Sequence, residues 1–179
     1  MSVGSEKRIL CPGRYINMAT RGGWEFVERK NLTGIVGIVA VTDAGNLLLV
    51  SQYRPPMDRI IYELPAGLAG DSKEDQGEEL VVAARRELLE ETGYEAREMI
   101  RLVDGASSAG ITDEVVTLFR AEGLAKTGPG LGVGLERLTL HEVPLGQVVS
   151  WLAARCEEGA AVDMKVYSGL YFAVAPRPL

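Results

Sequence analysis

The chain has 179 residues, 46% of them hydrophobic and 25% charged, with a formal net charge of −6. That size and composition fit one globular domain with a real core and a small N-terminal extension, and the acidic balance argues against nucleic acid as a partner. No apolar run approaches the ~18 residues of a membrane span, the start MSVGSEKRIL carries no secretory pattern, and two cysteines without metal-ligand spacing, Cys11 and Cys156, suit a reducing compartment, so a soluble, cytoplasmic protein is expected.

Residues 1–33 are polar with scattered aromatics, Tyr15, Trp24 and Phe26, and WEFVERK alternates as a strand does. IVGIVAV (35–41) is the near-continuous apolar run of a buried strand. TDAGN (42–46) is turn chemistry, and LLLVSQY (47–53) reads as the second strand of a hairpin. RPPM ends it, because proline cannot join a central ladder. RIIYELPAG (59–67) reads as a short strand entering a loop. A helix is expected from about Glu74 to Thr92. Ser72 and Asp75 stand at capping-box spacing, Leu80, Ala84 and Leu88 share one face, and Gly93 is a natural C-cap. Strands are expected over 97–103, 114–121 and 135–140. The small-residue loop DGASSAGITD joins the first two, and a glycine-rich, mobile stretch, KTGPGLGVG (126–134), precedes the third. LGQVVSWLAARCEEG (145–159) reads as an amphipathic helix ending at Gly159. DMKVYSGLYFAVA (163–175) reads as a last helix, with a strand as the alternative. There is no internal repeat.

The helix at 74–92 raises a question of charge. Glu87 and Glu91 are four residues apart and project from the same face, with Glu90 beside them. Like charges at this spacing weaken an isolated helix by roughly a few tenths of a kcal/mol per pair. Either the face is simply solvated, or a cation sits on it. Converging carboxylate oxygens suit Mg²⁺, which keeps waters and adds substrate phosphates. Arg86 is expected to pair with Glu78 or Glu90 and to leave Glu87 and Glu91 free.

RELLEETGY fits Arg-Glu-apolar-x-Glu-Glu-x-Gly-apolar at every position, Glu78 lies seven intervening residues before Arg86, and ELPAG precedes the helix. This resembles the Nudix box, and the chain looks like a Nudix hydrolase. The resemblance implies an α/β fold, an α/β/α sandwich with a mixed β-sheet over 34–179, preceded by an N-terminal strand segment over 1–33. It implies Mg²⁺ or Mn²⁺ held by Glu87 and Glu91 with the backbone carbonyl of Ala66. One departure from the pattern is a longer stretch between Gly67 and Glu78. It reads as a roughly five-residue loop insertion, which chain entropy tolerates well.

GRYI, WEFVERKN, LLLVSQYRPPM, ELPAGL and VDMKVYSGLYFA look like the ADP-ribose pyrophosphatase branch of that family. The likeness implies a small-molecule nucleotide substrate, ADP-ribose cleaved to AMP and ribose 5-phosphate, and a homodimer that exchanges its N-terminal strands. Trp24 and Tyr15 match base-stacking aromatics, a mode tolerant of base identity. Arg29 and Arg54 match arginines near the diphosphate. Gly67 and Leu68 would lie against the substrate, where Gly67 allows a close backbone approach. For the catalytic base the likeness offers Glu136 in GLERLTL, with Glu114 and Glu90 as rivals, and Arg86 joins the catalytic group. Alternatives are GDP-mannose, another sugar nucleotide or a dinucleotide as substrate, or a Nudix-fold sensor that binds a nucleotide without cleaving it. His141 reads as structural, and Cys11 and Cys156 as buried bystanders.

Overall fold

The apolar run at 35–41 lies at the centre of the molecule, and its surroundings define the architecture. The computed structural model describes residues 5–70, 77–130 and 138–175. Within them β1 (Arg8–Pro12), β2 (Ile16–Arg21) and β3 (Trp24–Arg29) form an antiparallel N-terminal sheet. Gly22 and Gly23, both at positive φ, make the two-residue turn between β2 and β3. Then follow β4 (Gly34–Ala40), β5 (Asn46–Arg54), a 3₁₀ turn at Pro55–Met57, β6 (Arg59–Glu63) and β7 (Ala66–Ala69). After α1 (Leu80–Thr92) come β8 (Tyr94–Ala106), β9 (Val115–Lys126), β10 (Thr139–Pro144), a 3₁₀ turn at Leu145–Gln147, α2 (Val148–Glu157), β11 (Ala161–Val162) and α3 (Met164–Val174).

The last eight strands make two mixed sheets, β7-β4-β9-β8 and β10-β5-β6-β11, in which β4–β9 and β6–β11 are parallel and the remaining pairs antiparallel. Strand β4 is apolar on both faces because both faces are covered. Val36, Ile38 and Ala40 pack with Ala83, Ala84 and Leu88 of α1. Val39 packs on the other side with Leu47, Leu49 and Leu118, together with Val148 and Leu152 of α2 and Val166 of α3. Helices therefore flank the sheets on both sides, as an α/β/α sandwich requires.

Several expectations are corrected. The turn at 42–46 forms, with Thr42 N–H donating to Asn46 O at 2.8 Å, but β4 and β5 are not a hairpin. They share one bridge, Val41 with Leu47, and then enter different sheets. A strand apolar on both faces takes a central position, and β4 has its edges filled by β7 and β9. Helix α1 begins at Leu80 rather than near Glu74. Gly77 sits at φ +83°, in the left-handed region, so the helix cannot extend back through it. Ser72, Glu74, Asp75 and the loop insertion lie outside the described residues, as do residues 135–137 of the expected strand at 135–140. The observed strand β10 is shifted toward the C-terminus, where Thr139 to Pro144 match Ser51 to Asn46 of β5. Cys11 and Cys156 are exposed rather than buried, since β1 is an edge strand and Cys156 lies in the last turn of α2. The helical reading of 163–175 holds over Met164–Val174, with Asp163 Oδ1 capping it by accepting from Lys165 N–H at 2.7 Å. Gly93 ends α1 as expected, at φ +72° with its N–H on Leu89 O. The same glycine accepts from the N–H groups of Thr127 and Gly128, which ties the start of the glycine-rich stretch to the helix end.

Candidate active site

Helix α1 lies against β7, and the contact is very close. A Cβ at Gly67 would fall on the carboxyl group of Glu87, so only glycine lets this acid sit over the strand. One turn on, Glu91 is 4% exposed and accepts from Ala66 N–H at 3.0 Å. The helical repeat thus sets both acids along neighbouring residues of one short strand.

Arg86 binds this junction together. Its Nε and Nη2 donate to the two oxygens of Glu78 at 3.1 and 3.0 Å. Its Nη1 reaches Glu87 at 2.8 Å and Glu90 at 3.2 Å, and Nη2 also donates to the Leu68 carbonyl at 3.0 Å. The bond to Glu78, which outweighs the opposing effect of burial, and the nearby Glu87 raise the affinity of the guanidinium for its proton still further. Arg86 pairs with Glu78 and Glu90 as expected. It also holds Glu87, and Ala66 holds Glu91, so neither acid is left free. A guanidinium offers five donors in a planar fork, enough to serve three carboxylates and a carbonyl at once.

Beside the junction opens a cleft of about 240 Å³, whose charged walls are Arg29, Arg54, Glu63, Glu91, Glu114 and Lys165. Ala66, Gly67 and Leu68 line it too, with Gln52 and Ser107. Each arginine is steered by a carboxylate. Arg29 Nε donates to Glu114 Oε1 at 2.5 Å. Arg54 grips the nearly buried Glu63 through Nε and Nη2 at 2.7 to 3.2 Å, and Gln52 Nε2 donates to the same acid at 3.1 Å.

The sequence-expected residues therefore divide into groups. Arg29, Arg54, Ala66, Gly67, Leu68, Glu91 and Glu114 meet in the cleft, and Arg86, Glu87 and Glu90 stand beside it. Trp24 and Tyr15 do not line it. Trp24 stands 69% exposed on β3 and Tyr15 68% exposed in the turn between β1 and β2. Glu136 lies outside the described residues. Sequence reasoning passed over Gln52, Glu63, Ser107 and Lys165. For Gln52 a signal existed, because residues two apart on a strand share a face and Gln52 precedes Arg54 by two. Lys165 stands in VDMKVYSGLYFA, a segment that resembles the branch, but nothing in that segment singles out its lysine.

His141 is structural, as expected. Its Nε2 lies 2.8 Å from Ser51 Oγ, and the ring packs between Tyr62 and Trp151. Burial first, and Arg155 second, push its pKa below the usual value.

The donor chemistry at the junction suits a hard divalent cation. Glu87, Glu91 and the Ala66 backbone are oxygen donors on one helix face and the strand it covers, and the missing side chain at Gly67 lets the Glu87 carboxyl close on that strand. Among the described residues no three His, Cys, Asp or Glu groups stand together as a metal-holding cluster, since the acids are turned onto Arg86 and Ala66. No helix of the described residues is long and apolar enough to cross a membrane.

Residues 32–152 match the family model described as the NUDIX domain. A Bacillus methanolicus protein named methanol dehydrogenase activator is 41% identical over 115 residues, which cover 61% of this chain and 60% of that protein. An ADP-ribose pyrophosphatase of Bacillus subtilis (strain 168) is 44% identical over 92 residues, 51% of this chain and 47% of that one. The chain thus spans between 47% and 60% of the length of these curated relatives. The crystal structure of an ADP compounds hydrolase superimposes with a TM-score of 0.63 at 20% identity, over 81% of this chain and 80% of that chain, a likeness of fold.

Proposed function

This chain belongs to the Nudix family, and from that premise we propose that it is a metal-dependent pyrophosphatase that hydrolyses nucleoside diphosphate derivatives, with ADP-ribose as the favoured substrate and AMP and ribose 5-phosphate as products. The observation that carries the reading is the junction itself: Glu87 seated over Gly67 and Glu91 tied to Ala66, at the edge of a cleft walled by Arg29, Arg54 and Lys165.

Nudix hydrolases generally use divalent metal ions, and Mg²⁺ or Mn²⁺ would be held here by Glu87, Glu91 and the Ala66 carbonyl. When bound, such an ion neutralises pyrophosphate charge and polarises a P–O bond. The rest falls to the chain's own groups. Arg54, aligned by Glu63 and Gln52, and Arg29, aligned by Glu114, offer N–H donors to the diphosphate oxygens. Arg86 fixes Glu87 and Leu68 against each other and so keeps helix and strand in register. A water oxygen attacks phosphorus, the bridging P–O bond breaks, and a carboxylate takes the proton of the water. The family likeness favours Glu136 for that last role. Of its rivals, Glu114 faces the cleft and Glu90 is engaged by Arg86.

Trp24 and Tyr15 need a different route to the base, since both stand away from the cleft of their own chain. A homodimer joined through the N-terminal strands would let one protomer bring its aromatics to the other. The exposed Ile9, Leu10, Ile16 and Met18 beside them support this arrangement. Two free, exposed cysteines fit a reducing compartment such as the cytoplasm.

The test is a substrate panel of ADP-ribose, GDP-mannose, other sugar nucleotides and dinucleotides, read by coupled phosphate release with and without EDTA. Turnover with Mg²⁺ or Mn²⁺, greatest for ADP-ribose and abolished by EDTA, is expected. No product from any member would overturn the reading. The name of the Bacillus methanolicus relative favours a second one, in which a nucleotide-bound form acts on a partner enzyme. Calorimetric binding of a nucleotide with Mg²⁺ present and no product formed would select it.

A further inference from the structure

We infer that Lys165 is a substrate-binding residue of this cleft, which contacts the diphosphate of a bound nucleotide from the α3 side. The inference rests on the proposed function and adds to it a residue that neither the box nor the arginines of the N-terminal half supply.

The fold brings Lys165 to the site from far along the chain. Strand β11 adds to β6 in parallel, Ala161 beside Ile61 and Val162 beside Tyr62. Asp163 N–H then donates to Tyr62 O at 2.9 Å. Helix α3 therefore starts next to Glu63, the acid that aligns Arg54. Val166 is wholly buried, and a Cβ on Gly169 would press on Leu64, so the first turns of the helix are clamped to the segment that leads into Ala66. Met164, Tyr167 and Tyr171 of the same helix face outward, whereas Lys165 forms part of the cleft wall.

Asp163 prepares the side chain as well as the helix. Its Oδ1 caps the backbone of Lys165, and its Oδ2 lies 2.5 Å from Nζ. An ammonium has three donors, and one carboxylate oxygen leaves others for a ligand. Arg29 and Arg54 show the same construction, a cation aligned by an acid within one cleft. Lys165 also decides the charge balance. Three cations and three carboxylates line the cleft. Without Lys165 the acids outnumber the cations, on a surface that must admit a diphosphate.

The test uses ADP as probe, titrated calorimetrically into wild type and Lys165→Met in EDTA, together with steady-state kinetics on ADP-ribose with Mg²⁺. Lys165→Met should bind ADP about tenfold more weakly, as loss of one charge-assisted hydrogen bond implies. It should raise KM for ADP-ribose by a similar factor while kcat falls less, and its ADP affinity should depend less on salt than that of wild type. Lys165→Arg should recover most of the affinity. Wild-type-like ADP binding by Lys165→Met would overturn this inference alone. A wild type that neither binds ADP nor turns over any member of the panel would overturn the functional reading, and the inference with it. A lowered melting temperature in Lys165→Met with normal ADP affinity would make Lys165 a structural residue and also overturn the inference.

Discussion

In the N-terminal sheet every residue of β1 is exposed, and Tyr15 and Trp24 lie open to solvent. At the junction of α1 and β7, Ala83, Ala84 and Leu88 are wholly buried, and a carboxylate presses so closely on Gly67 that no Cβ fits between. The N-terminal sheet meets the main domain at β3, with Val27 N–H on Ile111 O, a bridge from Val27 to Thr112 and the ion pair of Arg29 with Glu114. A three-stranded sheet with so little covered surface has almost no core of its own. The junction is finished within one chain, whereas the N-terminal sheet keeps Ile9, Leu10, Ile16 and Met18 exposed, the face that the proposed homodimer would cover. The two regions should therefore answer differently to mutation, in chemistry on one side and in recognition and assembly on the other.

The largest effect is expected from Glu91→Gln. The amide oxygen can still accept from Ala66 N–H, so the fold should persist while the carboxylate charge is lost. Turnover should drop by at least about 100-fold, with an unchanged circular dichroism spectrum. Wild-type turnover would detach the chemistry from this helix face. Next is Gly67→Ala, whose methyl group must displace Glu87 or spread helix from strand. Overpacking of this kind costs about 1–3 kcal/mol, and thermal melting together with a lost metal response in turnover would report it. An alanine tolerated without either change would show that the close approach is incidental.

The third contrast belongs to the open region. Trp24→Ala should leave the melting temperature nearly unchanged, since the ring is exposed. It should raise KM for adenine nucleotides by about tenfold, within the roughly 1–3 kcal/mol of one base–aromatic stack. An unchanged KM accompanied by a shift to monomer in sedimentation would reassign the ring to assembly. The smallest effect concerns acid. Lys7 first and Asn17 second hold the Glu28 carboxyl below its ordinary value of 4.5. In this region the unfolded chain binds protons more readily than the folded one. The contribution of Glu28 is therefore complete above about 4.5 and drains away as pH falls through the lowered folded value. Hydrogen exchange should show the N-terminal sheet loosening in that window before α1 does, and Glu28→Gln should flatten the dependence. Uniform loosening of both regions would erase the distinction between them.

The amino-acid order alone settled what repeats over short distances. The spacing of Glu87 and Glu91, the apolar stripe of Leu80, Ala84 and Leu88, the stop at Gly93 and the double burial of 35–41 all follow from helical and strand periods and from glycine's backbone freedom. Those features carry the box and hence the family. Tertiary structure decided what joins across the chain. The parallel pairing of β4 with β9 rather than a hairpin with β5 depends on which edges other strands already occupy. The meeting of Arg29 with Glu114, and of Lys165 with the wall that holds Arg54, closes gaps of many tens of residues. Periodicity speaks only for neighbours within a few residues. The choice among distant partners is made by burial of whole faces at once, and no local pattern records it.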